Sequence, residues 1–283
     1  MSQVRLALAQ ITGHPLDPAH NREMTVSIVR SAAADGAQLV ILPELIIPGY
    51  VMDAEGLARC AEPVDGPSFA AWQRLAREHD LYICGGICER AGERLYNTAI
   101  LVGPQGMALH YRKLHLFAAE KDIFVPGDLG LPIGETALGR IGICVCYDLR
   151  FIEVVRSFAL RNAQLIAVPT AWVTGFDREP WDRDGWCPQA RAAAVQANLS
   201  QIFIACASQV GADANLRFLG SSVLISPYGE ALIGPLSGQT PEVAQTTVDL
   251  DAVAAAQQRT PRVSPRNDRR TDVYGLWIDG RRL

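Results

Sequence analysis

Short apolar segments alternate with amphipathic segments of helical length along this chain of 283 residues. Residues 38–43 are apolar and compact, as is typical of a buried strand. Residues 17–34 and 67–79 instead have helical spacing, and Asp17 followed by Pro18 is a helix start signal. Between residues 81 and 111, strand-like segments are separated by short polar turns, which predicts antiparallel hairpins. We therefore expect an α/β fold in which a mixed sheet is layered with helices.

The pattern continues without an internal repeat, a low-complexity tract or a linker. We therefore expect a single domain over residues 1–283. Residues 260–283 are rich in arginine, and we expect this C-terminal tail to lie in solvent or in a contact between subunits.

Charge and cysteine content narrow the classes of partner. The formal net charge is -4, which gives no basic surface for nucleic acid. No apolar run reaches the roughly 18 residues that a membrane-spanning helix needs, and the N-terminus has no leader pattern. The seven cysteines have no regular spacing, so we expect free thiols and a cytoplasmic location. The five histidines also lack the spacing of zinc ligands.

A cysteine stands at the end of the apolar segment that begins at Gly139. This segment has the pattern of a buried strand, and a helix is predicted to begin just after Cys146. A strand-to-helix junction directs backbone N–H groups and the positive end of a helix dipole at the sulfur, which should favour the thiolate. Cys146 is therefore a candidate nucleophile, whereas we expect the deeper Cys144 to be a packed core residue.

Two charged residues also follow predicted strands. Glu44 follows the strand-like segment 38–43, and Lys113 lies just beyond the strand-like segment 107–111. A carboxylate, an ammonium and a thiol at one edge of the fold would suffice for acyl transfer. A structural ion pair is the alternative for Glu44 and Lys113. A Cys-His pair with His115 or His110 is the rival catalytic arrangement, although the sequence identifies no residue to orient the imidazole.

Three segments together are similar to known motifs. They are Pro-Glu-Leu-Ile-Ile-Pro-Gly-Tyr at residues 43–50, Tyr-Arg-Lys-Leu-His-Leu-Phe at residues 111–117 with Glu120 and Pro-Gly beyond it, and Cys-Tyr-Asp-Leu-Arg-Phe at residues 146–151. In this order they resemble the nitrilase superfamily of carbon-nitrogen hydrolases, amidase-like branch, and the resemblance covers nearly the whole chain.

The resemblance implies a four-layer α-β-β-α sandwich with mixed sheets. It also implies a catalytic triad of Glu44 as general base, Lys113 as oxyanion stabiliser and Cys146 as nucleophile. Glu120 matches a second glutamate that positions the substrate and the attacking water, and the N–H of Tyr147 matches the second oxyanion donor. No metal or organic cofactor is expected. Family members usually form homodimers or higher oligomers through the helices near the nucleophile, here residues 151–162 and 190–198.

The thiol defines the reaction class, because attack on an amide or an N-carbamoyl group leaves a thioester that water then hydrolyses. The residues after Cys146 favour amide over nitrile hydrolysis, since true nitrilases more often have Trp-Glu there. A nitrilase is the alternative, and a catalytically silent binding or assembly protein is the alternative from another class.

The substrate contacts are expected to come from Tyr50, Tyr147, Arg150 and Trp172. Arg150 could bind a substrate carboxylate, or it could form a salt bridge with Asp148 or Glu153. The loop 171–187 is rich in aromatic residues, which could line an apolar pocket for a hydrophobic amide or pack in a dimer interface. These are Trp172, Phe176, Trp181 and Trp186.

Overall fold

The structure is a computed structural model and describes residues 3–212, 216–278 and 280–283. Its strands are, in chain order, β1 (Gln3–Gln10), β2 (Leu39–Ile41), β3 (Tyr82–Ala91), β4 (Arg94–Gly103), β5 (Gly106–Arg112), β6 (Ile133–Thr136), β7 (Gly139–Ile143), β8 (Leu165–Thr170), β9 (Phe203–Ser208), β10 (Val210–Ala212), β11 (Arg217–Leu219), β12 (Val223–Ile225), β13 (Ala231–Ile233), β14 (Glu242–Asp249), β15 (Trp277–Ile278) and β16 (Arg281–Arg282). Its α-helices are α1 (Pro18–Ala34), α2 (Ala54–Cys60), α3 (Pro67–His79), α4 (Ile152–Leu160), α5 (Pro188–Ser200) and α6 (Ala252–Gln257), and two 3₁₀ helices span Ala118–Asp122 and Cys146–Arg150.

Twelve of these strands form two six-stranded sheets in the described part of the chain. The first sheet has the order β14-β1-β2-β3-β4-β5, and the second has the order β13-β12-β9-β8-β7-β6. In the first sheet β2 runs parallel to both β1 and β3, whereas β4, β5 and β14 pair antiparallel with their neighbours. In the second sheet β7, β8 and β9 are parallel and the outer strands are antiparallel. Both sheets are therefore mixed.

The two sheets pack face to face and each has helices on its outer side. Strands β1, β2 and β3 of the first sheet contact β8 and β9 of the second. Helices α1 and α3 pack together on the first sheet, and α4 and α5 pack together with α5 on the second. The predicted four-layer α-β-β-α sandwich is confirmed.

Local signals account for the helix ends. Asp17 accepts a hydrogen bond from the N–H of His20 at the start of α1, where Pro18 needs no partner for its missing N–H. Pro67 begins α3 in the same way, and Asp80 ends it with a left-handed φ of 51°. The buried residues of α3 include Trp72, Leu75 and Ala76, which form an apolar face against the first sheet.

The catalytic candidates all follow strands of the two packed sheets. The strand β2 leads to Glu44, β5 leads to Lys113 and β7 leads to Cys146. Sequence patterns did not predict helix α2, nor the 3₁₀ helix and the strand β6 that follow Phe117. No helix in the described ranges combines the length and apolar character that crossing a bilayer requires.

Candidate active site

Glu44 lies in a turn after β2 and is fully buried. Its Oε1 accepts hydrogen bonds from Lys113 Nζ at 2.7 Å and from Asn97 Nδ2 at 2.7 Å. Its Oε2 is also buried but has no hydrogen-bond partner among the described residues. The turn fits closely over β3, because a Cβ on Gly86 would lie 2.2 Å from the backbone nitrogen of Leu45. Glu44 therefore has one bound oxygen and one oxygen free to accept a proton.

Lys113 is buried between two carboxylates. Its Nζ lies 2.7 Å from Glu44 Oε1 and 2.8 Å from Glu120 Oε1. Glu120 lies in the 3₁₀ helix Ala118–Asp122, and its Oε2 accepts the N–H of Phe117 at 3.0 Å. The hydroxyl of Tyr50 donates to Glu120 Oε1 at 2.8 Å. The structure thus brings Glu44, Lys113 and Glu120 together, as the resemblance implied.

Cys146 is the first residue of the 3₁₀ helix that follows β7. Its backbone has a left-handed φ of 48°, which is uncommon for a residue with a Cβ. The sulfur is buried, with 8% of the residue exposed, and the Thr170 hydroxyl and the Ala171 N–H, at the end of β8, lie beside it. The tight turn therefore presents the thiol towards the neighbouring strand ends.

Asp148 holds this turn in place, a role that the sequence did not suggest. Its Oδ2 accepts the N–H of Val145 at 3.0 Å and the hydroxyl of Tyr111 at 2.7 Å. Its Oδ1 accepts the backbone N–H of His115 at 2.9 Å and lies 2.7 Å from His115 Nδ1. The buried carboxylate therefore ties the nucleophile turn to the segment that carries Lys113. The sequence showed only an aspartate two residues after the cysteine. It could not show that this side chain binds a nearby backbone N–H and groups of residues more than 30 positions away.

Burial controls the ionisation of the site. It raises the pKa of Glu44 to about 7, although Lys113 opposes the shift. Burial by itself would lower the pKa of Lys113, but the charges of Glu44 and Glu120 outweigh it and raise that pKa, so the ammonium persists.

Burial also raises the pKa of the Cys146 thiol, and the negative charge of Glu44 raises it further. Lys113, Thr170 and the Ala171 N–H lower this pKa, but by less than burial and Glu44 raise it. The expectation that the helix terminus favours a resting thiolate is therefore wrong, because loss of hydration destabilises the anion more than the nearby donors stabilise it. The thiol needs a base.

The two histidines of the rival arrangement have other partners. His110 Nε2 lies 2.8 Å from Oε2 of the buried carboxylate of Glu89. His115 does have an orienting aspartate, Asp148, contrary to the sequence interpretation, but its ring stacks on Phe151 with centroids 3.6 Å apart. Glu44 and Lys113 are the charged groups that most affect the Cys146 thiol. The other contacts of the two histidines and the charges that act on the sulfur therefore favour the Glu-Lys-Cys set over a Cys-His pair.

A cavity that is partly open to solvent lies beside Cys146. Aromatic rings of Phe117, Tyr147, Trp172 and Phe176 line it. The rings of Phe117, Tyr147 and Phe176 contact one another with centroids 5.2 to 6.1 Å apart. Its largely apolar lining beside a thiol is typical of a small-molecule site. Loop 171–187 thus contributes to a pocket, as one of the two sequence interpretations held.

The other predicted substrate contacts divide between two environments. Tyr147, Arg150 and Trp172 line the cavity, whereas Tyr50 borders a different cavity and donates to Glu120. Trp181 Nε1 instead donates to Leu219 O at 3.2 Å and to Ser221 Oγ at 3.0 Å, which anchors the loop to the body of the protein. Only part of the aromatic loop therefore faces the site.

Arg150 forms a salt bridge that the sequence interpretation did not name. Its Nη2 lies 2.6 Å from Asp177 Oδ2, and its guanidinium stacks 4.4 Å from the centre of the Phe176 ring. Asp177 lies in the aromatic loop, 27 residues further along the chain. The suggested partners Asp148 and Glu153 are thus wrong, since the carboxylate of Asp148 already binds the nucleophile turn.

Comparison with known proteins decides the family. The family model described as "Carbon-nitrogen hydrolase" matches residues 5–258. The chain belongs to this family.

Relatives of this carbon-nitrogen hydrolase include both nitrilases and amidases. The chain is 32% identical to a nitrilase of Pyrococcus abyssi over 277 residues, with 96% of this chain and 99% of the relative covered. It is 30% identical to an (R)-stereoselective amidase of Pseudomonas sp, with 90% and 88% covered.

A solved structure is also similar. It is a variant of the amidase from Nesterenkonia sp. AN1 with the acetamide moiety of fluoroacetamide added covalently at the active-site cysteine. The two chains are 29% identical, the match covers 95% of each, and the TM-score is 0.78. The chain is therefore a carbon-nitrogen hydrolase of the nitrilase superfamily, amidase-like branch, and acts on non-peptide C–N bonds.

Proposed function

We propose that this protein hydrolyses amides or N-carbamoyl compounds through a thioester on Cys146. One observation carries the proposal: Glu44 holds Lys113 and Asn97 on one oxygen and leaves the other buried and unpartnered among the described residues. Its pKa of about 7 suits a base that accepts and returns a proton near neutral pH.

In the first half-reaction Glu44 accepts the proton of the Cys146 thiol while the sulfur bonds to the carbonyl carbon. The oxygen gains negative charge and is held by the Lys113 ammonium and the N–H of Tyr147. Collapse of this intermediate breaks the C–N bond, and the proton on Glu44 moves to the leaving nitrogen. Ammonia or an amine departs and a thioester remains.

In the second half-reaction a water molecule loses a proton to Glu44 and attacks the thioester carbon. The C–S bond breaks, the carboxylic acid leaves, and Glu44 returns the proton to sulfur. Glu120 positions the substrate and the water through its contact with Lys113, with Tyr50 donating to the same carboxylate oxygen.

Nitrile hydrolysis is the second candidate, and similarity to the nitrilase of Pyrococcus abyssi favours it. Attack on a nitrile would give a thioimidate that must be hydrated twice, whereas an amide needs one water. A catalytically silent binding or assembly protein is disfavoured by the presence of Glu44, Lys113, Glu120 and Cys146 in bonding or electrostatic contact.

We expect a homodimer or a larger homo-oligomer of single-domain chains. Ile152 on α4 and Val195 and Leu199 on α5 are each more than half exposed, although they are apolar and lie on the helices that flank the nucleophile. The tail 260–283 is expected to join this contact. A monomeric mass in analytical ultracentrifugation would contradict this assembly.

We further expect a cytoplasmic protein whose partner is a small molecule, with no nucleic acid and no membrane. All seven cysteines are free, which suits a reducing compartment. Neither a metal nor an organic cofactor enters the proposed steps.

The test is ammonia release from a panel of primary amides, N-carbamoyl amino acids and nitriles. Cys146→Ala should abolish release with every active substrate, and intact mass spectrometry of the unmodified protein should detect an acyl adduct on Cys146. Cys60→Ala is the matched control, because this thiol lies at the end of α2 and outside the cavity. Unchanged ammonia release by Cys146→Ala would refute the proposal.

A further inference from the structure

Besides the thiol, the Tyr147 hydroxyl and the Trp172 indole N–H, the cavity beside Cys146 is lined by two polar side chains, Arg150 and Gln189. Both are bonded to one carboxylate oxygen. Asp177 Oδ2 accepts Arg150 Nη2 at 2.6 Å and Gln189 Nε2 at 3.0 Å. The positive charge of Arg150 is thus balanced by the carboxylate of Asp177 before any substrate enters.

The Arg150 guanidinium is also held by its stacking on the Phe176 ring. An ion pair and a ring contact on the same group restrict it more than either alone, since a planar guanidinium is matched both to a carboxylate and to an aromatic face. A substrate carboxylate could reach the other guanidinium N–H groups, but it would share this cation with Asp177 and gain less from it.

Gln189 presents an acceptor rather than a donor. Because the Asp177 carboxylate can only accept, it selects the amide orientation with Nε2 towards it. Gln189 Oε1 is then left buried without a hydrogen-bond partner in the described ranges. A substrate carboxylate would gain nothing from this oxygen.

The catalytic residues add no surplus positive charge. The Lys113 ammonium is bonded to both Glu44 and Glu120, so the three side chains together are neutral or negative according to the protonation of Glu44. An anion that entered this partly open cleft would lose hydration against the aromatic rings, and the one cation beside it is already paired with Asp177.

We infer that the substrates are amides whose acyl group is neutral and apolar, alkyl or aromatic, and that Asp177 determines this specificity by neutralising Arg150. The inference rests on the proposed amide hydrolysis at Cys146. It assigns the cavity wall of Phe117, Tyr147, Trp172 and Phe176 to the acyl chain and excludes amides that carry a second, ionised carboxyl group.

The test compares two amides of nearly the same shape. Succinamate ends in a carboxylate, and 4-methylpentanamide replaces that group by an isopropyl group. For the unmodified protein we expect kcat/KM to be at least about tenfold higher for 4-methylpentanamide, because the carboxylate loses hydration in the cleft and shares its counter-ion with Asp177. 3-Phenylpropanamide should also be hydrolysed.

Asp177→Asn should reverse part of this preference. The asparagine keeps the shape and a carbonyl acceptor but removes the charge, so Arg150 becomes available to the substrate carboxylate. We expect kcat/KM for succinamate to rise about tenfold or more, as for one new ion pair in a partly buried site, with little change for 4-methylpentanamide. Adding Arg150→Leu should remove the gain.

Asp182→Asn is the matched control, because Asp182 lies in the same loop but pairs with Arg191 outside the cavity. It should leave the ratio of the two substrates unchanged. Wild-type preference for succinamate would overturn the inference while leaving amide hydrolysis intact, and so would an unchanged succinamate rate in a folded Asp177→Asn protein. If that variant does not fold, the wild-type ratio still decides. No hydrolysis of any amide would instead refute the proposed function.

Discussion

Replacement of Asp148 by asparagine tests how the nucleophile turn is held. The carboxylate accepts the N–H of Val145 on one oxygen and the N–H of His115 on the other. An asparagine has one acceptor oxygen and one NH2 group, so either orientation leaves one of these two backbone N–H groups facing another donor. The Tyr111 hydroxyl and the His115 ring can each adapt, because both can accept as well as donate.

The magnitude follows from this count. A buried backbone N–H without an acceptor costs about 1–3 kcal/mol, and the loss of the charged acceptor weakens the remaining bonds by about 1 kcal/mol. Asp148→Asn should therefore lower the free energy of unfolding by about 2–4 kcal/mol. The turn that presents Cys146 would also relax, and displacement of a nucleophile by about 1 Å lowers kcat by about 100-fold.

Urea titration followed by tryptophan fluorescence measures the stability, and ammonia release on the best substrate of the panel measures kcat. Asp80→Asn is the control, because Asp80 is exposed and ends α3 in a left-handed conformation that asparagine also adopts. Its stability should change by less than about 0.5 kcal/mol. An Asp148→Asn protein within that same margin, with unaltered kcat, would refute the role of this carboxylate.

Two further predictions concern Glu44. Burial raises the pKa of Glu44 to about 7, and the base must be ionised to accept a proton. We therefore expect kcat/KM to fall about tenfold per pH unit below pH 7 and to level off above it. A flat profile between pH 5 and pH 8 in steady-state assays would contradict this assignment. Gly86→Ala should lower kcat at least about tenfold and destabilise the fold by about 1–3 kcal/mol, since its Cβ would lie 2.2 Å from the Leu45 nitrogen and push the Glu44 turn away. Gly92→Ala adds a Cβ with no atom near it in an open hairpin turn, so it should retain the activity even though its left-handed φ of 62° costs about 1 kcal/mol of stability. Equal activities of the two variants would argue against the close fit.

Local sequence signals were sufficient for much of the framework. The helix over residues 67–79 is bounded in the structure as predicted, because Pro67 and the apolar spacing act within the segment itself. The short helix Ala54–Cys60 escaped prediction, since seven residues give too little periodicity to distinguish a helix from a loop.

Motifs identified the candidates Glu44, Lys113 and Cys146, but their catalytic roles remain predictions until variants are assayed. The structure adds the hydrogen bond between Lys113 and Glu44 and the free oxygen of Glu44. It also contradicts the expected thiolate, because the pKa of Cys146 depends on how completely the sulfur is removed from water.

The longer strands and helices, the strand ends that carry the reactive residues and the family are determined by the sequence alone, because periodicity and motifs are properties of neighbouring residues. The partner of Arg150, the function of Asp148 and the protonation of the thiol were decided only by tertiary structure. Each depends on groups that are distant in the chain, and the electrostatic free energy of a buried charge is set by whatever packing places around it.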